Sequence, residues 1–142
     1  MKKDTKRRIL GLVVKVAILV TVMVVALRWN PDAPKTDKLA LPSGKHVETF
    51  ERTRINFTGG NSALVLKYWT KIDFADHDAL RREADEIWPS FRGEVENAGS
   101  TQGILSANHT RWFSKKVDVY QFIYAKQADG TWKLMDEGKV SL

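Results

Sequence analysis

The part of the chain after residue 43 alternates between apolar and polar positions in a way that predicts strands. His46–Phe57 and Ser62–Phe74 both carry the two-residue period of a strand with one buried face. Gly59-Gly60-Asn61 lies between them and predicts a hairpin turn. Three more strands are expected further along the chain, at Gly103–Thr110, Val117–Lys126 and Thr131–Asp136.

One stretch between the two groups of strands has the period of an α-helix instead. Asp76–Ala98 places its apolar residues on a single helical stripe. The residues of this stripe are Leu80, Ala84, Ile87, Trp88, Phe91, Val95 and Ala98. Asp76 or Asp78 is expected to cap the start of this helix, and Gly99 follows its end.

Two further features of this helix shape the expected fold. Pro89 lacks an N–H group and clashes with the preceding turn, which predicts a kink or a division into two shorter helices. The charged residues between the apolar positions, Glu83 among them, are interpreted as a solvated face. The element order ββ-α-βββ predicts an α+β domain, with an antiparallel sheet and one long, Pro-kinked helix packed on one face.

The N-terminal pattern is different, because residues 9–27 are almost entirely apolar. Thirteen of these 19 residues are Val, Leu or Ile, and the only charged residue is Lys15. As a helix the run spans roughly 28 Å, which is close to the thickness of a bilayer core. We therefore expect a transmembrane helix with an inserted membrane as partner, in which Lys15 snorkels and Trp29 anchors the interface.

Flanking charge predicts the orientation of this segment and the organisation of the chain. Residues 1–8 form a basic tail that the positive-inside rule places in the cytoplasm. Residues 28–43 contain three prolines and are expected to form a linker, and residues 44–142 the folded domain. We expect a signal-anchor protein of the bacterial inner (plasma) membrane, single-pass, with a periplasmic or extracellular domain. The alternative is a secreted protein after signal-peptide cleavage near Ala26.

Charge and cysteine content narrow the possible functions. The chain has a formal net charge of +6, from 23 basic and 17 acidic residues. Residues 28–142 hold 17 of those basic and 16 of those acidic residues, so the folded domain is nearly neutral. A near-neutral domain lacks the electrostatic footprint of a nucleic-acid binder. The chain has no cysteine, which excludes disulfides and thiolate metal sites.

We find no pattern that predicts a catalytic site, a metal site or a cofactor, and we expect the domain not to be an enzyme. Asp76-His77-Asp78 is the tightest cluster of possible metal ligands, but acidic residues at a helix start are better explained by capping. The other histidines, His46 and His109, fall on separate predicted strands.

The most informative candidate for binding is a tryptophan on the polar side of a strand. Trp69 shares that side with Lys67 and Lys71, so it should lie on the sheet face that the helix does not cover. Exposed tryptophan is typical of binding surfaces, and these three residues are our predicted binding site. The alternative is that Trp69 packs against the linker, the C-terminal tail or a neighbouring strand.

Three functional hypotheses follow. The first is a non-catalytic interaction or accessory module with a protein partner in the membrane or periplasm. The second is a small-ligand pocket between a curved sheet and the kinked helix. Tyr120–Met135, with its aromatic strand, Asp-Gly turn and tryptophan, resembles the sheet end of cone-shaped folds such as the NTF2-like group, and this resemblance implies such a pocket. The third is an enzyme, which would need ionisable groups that converge in a cleft.

Overall fold

The computed structural model describes residues 17–18, 36–110 and 116–141. Within 36–110 and 116–141 the chain forms six strands and one long helix. They are β1 (Asp37–Ala40), β2 (His46–Asn56), β3 (Ser62–Trp69), α1 (His77–Asn97), β4 (Gln102–Thr110), β5 (Val117–Lys126) and β6 (Trp132–Val140). Residues 34–142, which contain all of these elements, form one compact unit.

The six strands form one sheet in which the spatial order follows the order along the chain, from β1 to β6. Neighbouring strands run antiparallel, except that β3 and β4 are parallel. The parallel pair follows from the connection between β3 and β4. Helix α1 returns the chain across the sheet, so β4 starts at the same end of the sheet as β3. The glycines of the β2–β3 turn have φ values of +99° and +86°, which an L side chain rarely adopts.

Helix α1 begins and ends where local sequence signals place it. The side chain of Asp76 accepts a hydrogen bond from the backbone N–H of Ala79 at 3.0 Å and so caps the first turn. At the other end Gly99 has a φ of +66°. Pro89 lies inside the helix, which continues through it as a single element of 21 residues.

The core lies between α1 and one face of the sheet. The helix contributes side chains that are fully buried, namely Leu80, Ala84, Ile87, Phe91 and Val95. The facing strands contribute Leu66, Tyr68, Leu105, Tyr120 and Phe122. The period of the apolar stripe thus fixes which side of the helix meets the sheet, and burial of this area supplies most of the driving force for folding.

The predicted fold class is wrong in two respects. The order is βββ-α-βββ rather than ββ-α-βββ, because Asp37–Ala40 in the expected linker forms a strand that pairs with β2. The sheet is mixed rather than antiparallel, because β3 and β4 run in the same direction.

The predicted membrane topology also requires correction. In residues 17–18, 36–110 and 116–141, no helix combines the length and apolar character needed to cross a bilayer. Helix α1 is long enough, but its outward side is charged. This finding contradicts three predictions, namely the transmembrane helix, the single-pass signal-anchor topology and the inner-membrane location. Apart from residues 17–18, the predicted span 9–27 lies outside the described residues, as do Lys15, Trp29 and the cleavage site near Ala26.

One close approach fixes the middle of α1 on the sheet. The ring of Trp88 stacks on that of Tyr124, with 3.9 Å between centroids and 6° between planes. Gly103 is the strand partner of Tyr124 and lies beneath the same indole. A Cβ atom at Gly103 would come within 2.7 Å of Trp88 Cζ3 and 3.0 Å of Val95 Cγ2. The absence of a side chain at Gly103 is therefore what lets the indole lie flat on the sheet.

We expect Gly103→Ala to destabilise the domain by about 1–3 kcal/mol, because the added methyl group overpacks the site under Trp88. Urea unfolding of the full chain, followed by circular dichroism, measures this change. Gly138→Ala is the matched control, since a Cβ there meets nothing within 4 Å, and its effect should stay within about 0.5 kcal/mol. Adding Trp88→Leu to Gly103→Ala should relieve the overlap. Equal stability of the two glycine variants would contradict the close approach.

Candidate functional site

A cleft opens where β2 and β3 stop pairing. Their last paired residues at this end are Glu48 and Trp69. Before Glu48, β2 continues beside β1, with Val47 opposite Leu39. After Trp69, the chain follows β4 instead, and the backbone N–H of Thr70 donates to the carbonyl oxygen of Asn108 at 2.9 Å. The two strands therefore diverge, and the space between them is a pocket of about 680 Å³.

The pocket has a buried floor, half-buried walls and an exposed rim. Leu41, Val47 and Thr70 form the floor, and each is 5–6% exposed. The walls are half-buried side chains from three different places in the fold, namely Trp69, Ile72 and Glu83. The rim consists of exposed polar side chains, namely Lys38, Lys45, His46, Glu48, Lys71 and Thr110. A mainly apolar floor below a polar rim is the usual composition of a small-molecule site.

The lysines of the rim are not neutralised by direct contacts. Among the residues that the structure describes, Lys38, Lys45 and Lys71 form no ion pair within 4.0 Å. The pocket lining contains these three lysines and two glutamates, which leaves a formal charge of +1 with His46 neutral. The ammonium groups are therefore available to an anion at the mouth of the pocket.

Glu83 is the most unusual group in the lining. Its Oε1 atom is buried and has no hydrogen-bond partner in the described part of the protein. Burial raises the pKa of this carboxyl, and the negative charge of Glu86 raises it further. The Thr70 hydroxyl, as a hydrogen-bond donor, and the positive charge of Lys45 lower the pKa without cancelling the effect of burial. Perturbed carboxyls of this kind cluster at functional sites.

Two buried tyrosines, Tyr68 and Tyr124, lie in the core between α1 and the sheet. The hydroxyl groups of Tyr68 and Tyr124 have no hydrogen-bond partner among the described residues. Burial raises the pKa of Tyr68 well above its ordinary value, and the charge of Glu83 adds to this effect. Burial likewise raises the pKa of Tyr124 to about 12. Both hydroxyls stay protonated at neutral pH, so the Tyr68 hydroxyl is a neutral group near Glu83.

The wall formed by β1, β2 and their connecting turn is tied to the helix. The backbone N–H of Leu41 donates to the carbonyl oxygen of Lys45 at 2.8 Å, which closes the turn. The Ser43 hydroxyl donates to Glu86 Oε2 at 2.6 Å. Since Glu86 lies one turn of α1 after Glu83, this contact holds Lys45 on the same side of the pocket as Glu83.

The structure brings together two of the three predicted binding residues. Trp69 and Lys71 both line the pocket. Trp69 stacks on Phe50 with 4.8 Å between ring centroids, which fixes the indole in the wall. Lys67 does not line the pocket, and its Nζ atom pairs with Glu51 Oε2 at 2.9 Å.

The histidines separate into different environments. His46 lies on the rim of the pocket. The Nδ1 atom of His109 is 3.1 Å from the carbonyl oxygen of Thr70, so this ring supports the floor from outside. His77 lies against the edge of Tyr120 at the start of α1. Within the described ranges, no group of three or more His, Asp or Glu residues is arranged to hold a metal ion.

Sequence reasoning missed the residue that makes the pocket chemically distinctive. The charge pattern of the helix predicts a solvated position for Glu83, as for the other charged residues. It nevertheless lies three residues after Leu80 and four before Ile87, which are both fully buried. A carboxylate at the border of the apolar stripe was the available signal, because such a position is partly covered by the sheet.

Comparisons with known proteins do not place this chain in a family. No family model, curated protein sequence or solved structure matched it.

The raised pKa of Glu83 predicts how stability depends on pH. The folded protein keeps a proton on this carboxyl that the unfolded chain releases at lower pH. The contribution of Glu83 to stability is therefore complete below the unfolded pKa near 4.5 and is lost as pH rises through the folded value. Glu83→Gln should remove this loss, so the free energy of unfolding at pH 7 should increase while that at pH 4 changes little. Urea unfolding of the full chain between pH 4 and pH 7 measures both.

Glu51→Gln is the control for this experiment. The Thr53 hydroxyl and Lys67 lower the pKa of Glu51, so its contribution is present above the unfolded pKa and is lost as pH falls. The Glu51 side chain is 44% exposed, so the effect of its removal should be small and of opposite sign. A loss of stability at pH 7 in Glu83→Gln would show that Glu83 is stabilised as an anion in the folded protein.

Proposed function

We propose that the domain binds a small organic anion with an apolar body in the pocket between the diverging ends of β2 and β3. The observation that supports this proposal most is a pocket of about 680 Å³ whose rim carries three lysines, none of them in an ion pair within 4.0 Å among the described residues. Pockets that hold metabolite-sized ligands typically measure about 300–1,000 Å³. The apolar part of the ligand would lie on Leu41 and Val47, beside the indole of Trp69.

Two further observations support this proposal. The floor and the rim come from β1, the β1–β2 turn, β2, the segment that follows β3 and the end of β4, so the pocket belongs to the folded sheet and not to one flexible loop. The lysine side chains reach the mouth from both sides of the cleft, because Lys38 and Lys45 belong to the wall that β1, β2 and their turn form, whereas Lys71 follows β3. An anion between them would be attracted by both walls at once.

The proposal predicts that binding of an anionic probe depends on the rim lysines and that binding of a neutral probe does not. The probes are 8-anilinonaphthalene-1-sulfonate, which carries a sulfonate, and N-phenyl-1-naphthylamine, which has a similar ring system without charge. We expect Lys71→Ala to weaken binding of the sulfonate about 2- to 5-fold, as one partly exposed charge contact would. The triple variant with Lys38, Lys45 and Lys71 replaced by Ala should weaken it by a larger factor. Fluorescence titration of the full-length folded protein measures both affinities.

Lys133→Ala is the matched control, because Lys133 is an exposed lysine on β6 that does not line the pocket. It should leave the affinity for both probes unchanged, and the lysine variants should leave binding of the neutral probe unchanged. If the control weakened sulfonate binding as much as Lys71→Ala, the anion would be responding to overall charge and the proposed site would be wrong.

A protein partner is the second candidate function, and the sheet face away from α1 favours it. This face carries a separate apolar cluster of Ala63, Val65 and Ile104, against which Ile123 packs. Ile55 is the strand partner of Ala63 and remains 41% exposed beside this cluster. A large aliphatic side chain next to an apolar cluster is typical of a docking surface.

Chemical crosslinking of the full chain in cells, followed by purification, tests this second candidate. Ile55→Asp should abolish recovery of a crosslinked partner, because a carboxylate in the contact would be desolvated. Met135→Asp is the control, since Met135 is 56% exposed on the last strand. Equal recovery with Ile55→Asp and with the unchanged protein would rule out this face as the contact.

A further inference from the structure

The pocket lining holds two opposite charges that do not touch. Lys45 and Glu83 both line the pocket and interact electrostatically, yet no contact within 4.0 Å joins them among the described residues. The two residues come from different elements, since Lys45 ends the turn before β2 and Glu83 lies on α1. The hydrogen bond between Ser43 and Glu86 holds these elements together beside them.

The surroundings of Glu83 favour an external donor for its free oxygen atom. Oε1 is buried without a partner, which is unfavourable for a carboxyl unless a donor reaches it. Glu86, the nearby acidic residue, instead accepts the hydroxyl of Ser43. Because Oε1 is buried, a donor that enters the pocket reaches this unsatisfied acceptor when the Glu83 side chain turns toward the cleft.

We propose that the ligand is a zwitterion of the α-amino acid type, whose ammonium group binds Glu83 and whose carboxylate binds Lys45. In an α-amino acid these two charged groups are attached to the same carbon atom, so they fit between a cation and an anion that are close but not in contact. The side chain of the amino acid would then lie on the apolar floor beside Trp69. This inference rests on the proposed function, because it refines the ligand of the same pocket.

Analogues that lack one of the two charged groups test the proposal. The first series is L-tryptophan, indole-3-propionate, which lacks the ammonium group, and tryptamine, which lacks the carboxylate. The second series is L-leucine, 4-methylpentanoate and 3-methylbutylamine, with the same relationships and an aliphatic body. Isothermal titration calorimetry on the full chain measures each affinity.

We expect at least one amino acid to bind about tenfold more tightly than either of its singly charged analogues, as an added charge-assisted hydrogen bond would produce. Glu83→Gln should lower the affinity for that amino acid to the level of its carboxylate analogue and leave the affinity for the analogue itself unchanged. Lys45→Ala should lower the affinity for the amino acid and for its carboxylate analogue, but not for the amine. Asp85→Asn, a neutralising change on the same helix outside the pocket, is the matched control and should alter none of these values.

The possible results distinguish failure of the zwitterion proposal from failure of the anion site. If the carboxylate analogues bind in a lysine-dependent manner but neither amino acid binds more tightly, the zwitterion is overturned and the anion site stands. If neither amino acid binds at millimolar concentration, the zwitterion is overturned as well. If an amino acid binds tightly but Glu83→Gln has no effect, Glu83 is not the ammonium site and the proposal is wrong.

Discussion

The contact between one stripe of α1 and one face of the sheet determines the rest of this domain. Leu80, Ile87 and Phe91 are completely buried against the central strands. Because α1 must lie across the sheet to bury this stripe, it carries the chain back to the end of the sheet where β3 began. The parallel pairing of β3 and β4 is the geometric result of that packing. At the middle of the helix, the indole of Trp88 over Gly103 fixes how closely the two layers approach.

The same packing sets the chemistry of the pocket. The rotation of α1 that buries Leu80 and Ile87 also directs Glu83 toward the sheet, where it lines the cleft between β2 and β3. A carboxyl in that position is partly desolvated, which raises its pKa and destabilises its ionised form. The pocket therefore combines an acidic group set by the helix with basic groups supplied by β1, the β1–β2 turn and the segment after β3. Neither layer of the fold would create this combination alone.

The sequence was sufficient for most of the elements, because local signals specify them. The apolar stripe, the Asp76 cap and the glycines at 59, 60 and 99 act over a few residues, and the structure agrees with each. Strand β1 was missed because four residues between prolines carry too short a pattern to indicate pairing. The direction of β4 relative to β3 depends on how α1 lies on the sheet, which the element order alone does not specify.

The candidate site was only partly predictable for a related reason. The period of the predicted strand Ser62–Phe74 puts Trp69 and Lys71 on one side, because strand period is a local property, and both residues line the pocket although β3 ends at Trp69. The cleft exists because β2 and β3 separate after their last shared pair. Beyond that pair β2 stays beside β1 and β3 stays beside β4, and the sequence of neither strand predicts this change of partner. Glu83 was hidden for the same reason, since its burial depends on a sheet formed by distant residues.

The hairpin of β1 and β2 ends in a short edge strand, and it forms one side of the pocket. Strand β1 has only four residues, all paired to β2, and lies at the edge. Edge segments with so few ladder bonds open more easily than the sheet centre. A molecule in the cleft would join this hairpin to β3 and to α1, replacing the strand pairing that is missing there. Occupancy would therefore shift local opening of the hairpin, and the frequency of that opening would in turn govern how fast the molecule enters and leaves.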